Sequence, residues 1–143
     1  MIKELGEPDF GTHKLIPIRT RRQPMEPVGK PKLVDKTWGH EAWLANNEQE
    51  DYCGKILHID ANQSTSMHYH LLKHETFYVL EGTLRLELLD GQTAISNQVV
   101  LGVGETYEIN RGQAHRLIAR DDAVKIVEIS TFHEDNDSYR VWR

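Results

Sequence analysis

The sequence has 143 residues, of which 38% are hydrophobic and 27% charged, and it predicts one globular domain. The formal net charge of −5, without a lysine- or arginine-rich stripe, argues against nucleic acid or an anionic membrane as a partner. No apolar run is long enough to span a bilayer, the first residues lack the apolar core of a secretory signal, and the single cysteine, Cys53, excludes an internal disulfide, so we expect a cytoplasmic protein.

Residues 1–36 are predicted to form an extended N-terminal arm. All five prolines lie in this stretch, and proline neither donates to a sheet ladder nor continues a helix. One short edge strand is expected at residues 14–18. The arm either wraps its own domain, crosses to a partner subunit or is partly disordered, and the sequence leaves these alternatives open.

Residues 37–143 are predicted to form an all-β domain. Leu84, Leu86 and Leu88 alternate with polar residues, which is the period of a half-buried strand. Glycines and an Asp90–Gly91 turn separate many such short segments, a pattern typical of an antiparallel sandwich or small barrel. The predicted strands are 38–45, 52–59, 64–70, 75–80, 83–89, 92–96, 99–101, 106–109, 114–119 and 124–130.

The C-terminal tail begins acidic and ends aromatic. The acidic part, residues 134–137, is predicted to be a solvated loop. Tyr139 and Trp142 are expected to dock the end of the tail onto the domain.

Four residues form a candidate metal site. His68 and His70 are separated by one residue on a predicted strand, so their side chains share a face. Glu75 follows at the start of the next strand, and His115 is the candidate for a fourth ligand. Imidazole and carboxylate together suit a first-row transition metal. Glu75 is expected to enter from the adjacent strand, and His115 from the far side of the barrel.

The spacing of these residues resembles the two sequence motifs of the cupin superfamily. The first motif is matched by Gly54 … His68-x-His70-x4-Glu75-x6-Gly82. The second is matched by Gly104-x5-Asn110-x-Gly112-x2-His115, in which Asn110 replaces the usual proline and Ala119 stands where asparagine is common. The resemblance implies a double-stranded β-helix, or jelly-roll barrel. It also implies a divalent transition metal (Mn, Zn, Fe, Co or Ni) held by His68, His70, Glu75 and His115.

Segments outside the two motifs resemble the cupin-type (type II) mannose-6-phosphate isomerases and the related lyxose isomerases. They are Lys36-Thr-Trp-Gly-His-Glu-Ala-Trp43, Tyr52-Cys-Gly-Lys-Ile-Leu-His-Ile59 and Lys73-His-Glu-Thr-Phe-Tyr-Val-Leu-Glu-Gly-Thr83. This likeness implies aldose–ketose isomerisation of a sugar or sugar phosphate. Cupins also commonly pair through sheet edges, which predicts a homodimer.

Isomerisation requires a base that moves a proton between adjacent carbons. Lys73 is the first candidate, because a lysine at a dry site mouth can have a lowered pKa, and His74 is the second. Arg111 and Arg116 either receive a phosphate or are merely solubilising. Two alternatives stay open: an Fe(II)-dependent oxygenase of a small organic substrate, and a non-catalytic sugar-binding cupin.

Overall fold

The computed structural model describes Met25 and residues 27–142, which form eleven strands and one 3-10 helix at Asp135–Asp137. The predicted strand at 14–18 and most of the predicted arm lie outside these residues. The strands are β1 (Lys32–Lys36), β2 (Gly39–Asn47), β3 (Tyr52–Ile59), β4 (Met67–Tyr69), β5 (Glu75–Glu81), β6 (Leu84–Leu89), β7 (Ser96–Leu101), β8 (Thr106–Ile109), β9 (Ala114–Ile118), β10 (Val124–Ser130) and β11 (Tyr139–Trp142).

The strands form two antiparallel sheets. Sheet A has the order β1-β2-β3-β10-β5-β8, and sheet B has the order β11-β4-β9-β6-β7. Sheet neighbours are mostly distant in sequence, as in a jelly roll, where the chain passes repeatedly from one sheet to the other. The predicted all-β architecture is confirmed. No helix in the described part of the chain is long and apolar enough to cross a membrane.

Period-two alternation located most strands correctly, and two differences are informative. The predicted strand at 92–96 is wrong, because Asp90 folds this segment into a turn. The Asp90 carboxylate accepts hydrogen bonds from the backbone N–H groups of Gln92 and Thr93, and Ala94 has a φ of 58°. In addition, residues 32–36, within the predicted arm, form edge strand β1 against β2. The arm boundary and the homodimer stay predictions.

The space between the sheets is apolar at one end and polar at the other. Leu57 and Ile59 of β3 and Ile126 of β10 belong to the buried apolar core. Farther along the same inner face of sheet A, β3 carries Lys55 and β10 carries Glu128, both buried. Side chains two residues apart share a strand face. One face of one sheet therefore supplies both the folding core and the charged end of the interior.

Gly82 forms the turn that takes the chain from β5 in sheet A to β6 in sheet B. Its φ is 80°, a left-handed conformation that glycine adopts without strain. A Cβ at this position would also collide with the carbonyl oxygen of Ala123. Glycine is therefore required here by both backbone conformation and space.

Candidate metal centre

Three histidines, two on strands of sheet B and one directly after β4, meet at the polar end of the interior. His68 of β4 and His115 of β9 are directly paired in register, so their side chains lie side by side on one face. His70 follows two residues later on the same face. Their ring nitrogens offer three ligand atoms that all lie within 4.8 Å of one another. The structure thus brings together the three histidines that the sequence singled out.

Each of these histidines has its Nδ1 atom bound to a backbone carbonyl. The acceptors are Ser66 at 2.7 Å from His68, Asp137 at 2.9 Å from His70 and Gln113 at 2.9 Å from His115. A carbonyl only accepts, so Nδ1 carries the proton and Nε2 keeps its lone pair in the neutral ring. This is how backbone partners orient metal-binding histidines.

Burial keeps His68 and His70 neutral. Desolvation, with the neighbouring His115, lowers the pKa of His68 to about 3. Desolvation, with the ammonium of Lys73, lowers the pKa of His70 to about 4. Both rings are therefore unprotonated at neutral pH, the form in which imidazole binds a metal ion.

Glu75 approaches the histidines from the opposite sheet. It is the first residue of β5 in sheet A, where it shares the inner face with Phe77. Our expectation that Glu75 lies on a strand adjacent to β4, with His115 across the barrel, is wrong. His115 is the residue on the strand next to β4, because β9 pairs with β4. Glu75 is the residue on the opposite sheet, because the chain crosses from sheet B to sheet A after His70.

Glu75 and His115 place a carboxylate oxygen and a ring nitrogen close together, an arrangement that a cation between them would stabilise. His115 Nε2 lies 2.9 Å from Glu75 Oε1, and both atoms are buried without a hydrogen bond among the described residues. His70 Nε2 lies 3.8 Å from the same Glu75 oxygen. Ligands at right angles on an ion, with bonds of about 2.1 Å, are about 3.0 Å apart. The donor set therefore fits a divalent transition metal.

Lys73 does not have the lowered pKa that we expected of a catalytic base. Its side chain is buried, with Nζ 3.1 Å from Glu75 Oε2 and 3.2 Å from Glu128 Oε2. Burial alone would lower the pKa of Lys73, but the two carboxylates outweigh it and raise the pKa above its ordinary value. Lys73 is therefore a protonated partner of Glu75 and Glu128. In turn, His115 and Lys73 overcome the burial of Glu75 and lower its pKa well below its usual range.

His74 points away from the three histidines. It lies between two buried residues on an extended segment, so its side chain turns outward. Its Nε2 lies 2.8 Å from Glu108 Oε1 at the surface. Arg111 and Arg116 also lie outside the cavity at this site. Arg111 donates to the carbonyl of Leu72, and Arg116 pairs with Glu87.

Asp137 anchors the loop between His70 and Glu75, contrary to the prediction of a solvated acidic segment. It is 4% exposed, and its carboxylate accepts hydrogen bonds from the N–H groups of Leu71, Leu72 and Lys73 at 2.9–3.2 Å. Burial opposes its ionisation, but these hydrogen bonds prevail and lower its pKa. Its backbone carbonyl also accepts a hydrogen bond from His70, so Asp137 positions both the His70 ring and the loop that leads to Glu75.

We therefore expect Asp137→Asn to weaken metal binding by about 10- to 100-fold, as for other partners that orient metal ligands. An amide presents an N–H₂ group to a backbone donor where the carboxylate offered an oxygen. Isothermal titration with Mn(II) and Zn(II) measures the effect. Asp135→Asn is the matched control, because the Asp135 carboxylate is 88% exposed and, among the described residues, its side-chain partner is His133 at the surface. Equal affinities in the two variants would contradict the anchoring role.

A charged wall on sheet A shares the cavity with the histidines, and the sequence did not reveal it. The cavity has a volume of about 110 Å³. His133 also lines the cavity, with Nδ1 3.4 Å from Lys73 Nζ, and desolvation lowers its pKa to about 4. Burial, aided by the nearby Glu75, raises the pKa of Glu128. The charged residues of the wall are Glu41, Lys55, Glu75 and Glu128 of sheet A, with Lys73 from the loop before β5. Lys36 of β1 also lines the cavity.

A second cleft adjoins this cavity. Its volume is about 490 Å³, and it shares Lys36, Trp38, Thr65, His68 and Ser138 with the inner cavity. Arg140 lies at its rim, paired in register with His68. The inner site therefore borders a cleft that carries hydroxyl groups and two basic side chains.

Comparison with known proteins identifies the fold. A family model described as a cupin domain matches residues 55–130. No curated protein matches the sequence. Among solved structures, oxalate decarboxylase from Bacillus subtilis aligns at 14% identity over 78% of this chain and 30% of that chain, with a TM-score of 0.67. The capsular polysaccharide assembling protein CapF from Staphylococcus aureus aligns at 13% identity over 81% of this chain and 34% of that chain, with a TM-score of 0.72. The chain thus spans about a third of the length of either structure.

Proposed function

Because this chain belongs to the cupin family, we propose that it is a metal-dependent aldose–ketose isomerase acting on a sugar or sugar phosphate. His68, His70, His115 and Glu75 would hold a divalent transition metal. The observation that carries the proposal is the wall of paired charges that shares the cavity with the three histidines. A ligand there meets both donors and acceptors, which suits a polyhydroxylated molecule better than an apolar one.

The bound ion would polarise the carbonyl of an open-chain sugar. The protein's own groups do the remaining work. The three imidazoles are already oriented by backbone carbonyls at Nδ1, so their Nε2 atoms need no rearrangement to face an ion. Protonated Lys73 keeps Glu75 ionised and also forms an ion pair with Glu128. Such preorganised charge strengthens catalysis in a site that excludes bulk water.

The outer cleft supports a substrate with an anionic end. Lys36 of β1 and Arg140 of β11 belong to different sheets and line the same cleft. Ser64, Ser66 and Thr37 add hydroxyl groups between them. Asp35 also lines the cleft, so the mouth is not uniformly basic. We propose that a phosphorylated sugar would place its phosphate here rather than at Arg111 or Arg116.

The test is a screen of free and phosphorylated aldoses with metal-free protein reloaded with Mn(II), Zn(II) or Co(II). We expect conversion of at least one aldose to its ketose under nitrogen, detected by NMR and abolished by EDTA. Oxygen uptake with Fe(II) would instead identify an oxygenase. Saturable sugar binding without conversion would identify a binding protein. Either of these two results would overturn the isomerase proposal.

A further inference from the structure

Glu41 carries an unpartnered carboxylate oxygen inside the cavity. The residue lies on β2, is 7% exposed, and its Oε2 atom is buried with no hydrogen bond among the described residues. An unpaired buried oxygen of this kind is unfavourable, since it has lost water without gaining a partner. Groups that persist in this state are often those that a ligand completes. Glu41 lines the same cavity as the three histidines.

The other oxygen of Glu41 is held near one fixed cation. Oε1 lies 3.6 Å from Lys55 Nζ, and Lys55 is 2% exposed. Lys55 Nζ in turn lies 4.2 Å from the centroid of the Trp43 ring, a cation–π contact. Trp43 and Lys55 are directly paired across β2 and β3. The ammonium is thus fixed between an aromatic face and Glu41, which leaves Oε2 as the free acceptor.

The remaining charged groups of the wall are already engaged. Glu128 Oε2 accepts from Lys73, and Lys73 is shared with Glu75. Glu75 faces the histidines and belongs to the proposed ligand set. Among the carboxylates that line the cavity, Glu41 is therefore the one not committed to Lys73 or to the metal ligands.

We infer that Glu41 is the proton-transfer residue of this site, an inference that rests on the proposed isomerase function. Its Oε2 takes the proton from the carbon next to the carbonyl. The electron pair of that C–H bond forms a carbon–carbon double bond, and the carbonyl electron pair moves onto its oxygen. The neighbouring hydroxyl proton passes to that oxygen. Glu41 then returns its proton to the former carbonyl carbon, which bonds it with the electron pair of the double bond. An electron pair of the deprotonated oxygen forms the new carbonyl, so the ketose forms without any oxidant or reductant.

The test follows exchange of carbon-bound hydrogen with solvent. The probes are D-fructose and D-xylulose, free and phosphorylated, incubated in D₂O with Mn(II)-loaded protein, and NMR measures deuterium uptake at C1. We expect Glu41→Gln to slow exchange by about 10²- to 10⁴-fold, the usual contribution of a positioned acid or base. Metal content should be unchanged. Glu41→Asp should retain part of the exchange, because it keeps a carboxylate.

Glu87→Gln is the matched control. Glu87 is also a buried carboxylate paired with a cation, Arg116, but it does not line the cavity. Its variant should exchange at the wild-type rate. If Glu41→Gln lowers the melting temperature, Glu41→Ala is tested instead, with formate added to supply the missing carboxylate. Recovery of exchange with formate supports the assignment.

Two outcomes separate the inference from its premise. Aldose–ketose conversion by wild-type protein together with exchange by Glu41→Gln within threefold of wild type would overturn only the role of Glu41. The absence of any conversion by wild-type protein would overturn the isomerase proposal, and with it this role.

Discussion

Replacing His68 and His70 together with alanine is expected to reduce bound metal from about one ion per chain to near zero. The two rings supply two of the three lone pairs that lie within 4.8 Å of one another. Elemental analysis of protein purified without chelator measures the loss. We expect aldose–ketose conversion to disappear with the metal.

His74→Ala is the control for this variant. His74 belongs to the same segment, but it pairs with Glu108 at the surface. We expect it to keep both metal and activity. Equal metal occupancy in the double variant and in wild-type protein would show that the ion binds elsewhere. Loss of activity in His74→Ala with metal retained would restore the role for His74 that the sequence suggested.

Lys73→Met is expected to destabilise the metal-free protein by about 3–5 kcal/mol. Lys73 is 3% exposed, and its ammonium contacts carboxylates of both Glu75 and Glu128, which are 2% and 4% exposed. Removing the cation leaves two buried carboxylates facing each other without compensation. Urea unfolding in EDTA measures the difference.

Lys125→Met provides the comparison for a surface ion pair. Lys125 and Glu81 lie 3.5 Å apart, with both side chains substantially exposed. Solvent screening limits such a pair to about 1 kcal/mol or less. Should both lysine variants unfold at the same urea concentration, the buried network would not contribute to stability as the geometry indicates.

Alternation along strands was enough to predict much of this fold. The bounds 52–59, 106–109 and 124–130 match β3, β8 and β10, because apolar residues alternate along part of each strand. The pairs are Leu57 and Ile59, Tyr107 and Ile109, and Val124 and Ile126. Residues 92–96 were predicted to form a strand, but the Asp90 carboxylate accepts backbone hydrogen bonds that fold them into a turn. Such local competition between a carboxylate and the sheet ladder is not visible in hydrophobic periodicity.

The spacing of the histidines was enough to predict that His68, His70 and His115 lie together, but not what surrounds them. Spacing tells which face of a strand a residue occupies, but not which sheet that strand joins, so Glu75 and His115 were placed on the wrong sides. Lys55 and Glu128 were missed because charged residues on a strand usually face solvent. Asp137 was missed because its partners are backbone N–H groups 64–66 residues away.

The distribution of the proposed ligands over both sheets has a consequence for the protein as a whole. His68 and His115 belong to sheet B, His70 directly follows β4 of that sheet, and the Glu75 carboxylate belongs to sheet A. An ion held by both would act as a removable cross-link between the two halves of the barrel. Its binding free energy would then also be free energy of folding, worth about 2.7 kcal/mol at a hundredfold excess over the dissociation constant. Metal supply would thereby set how long the folded protein lasts as well as how fast it works.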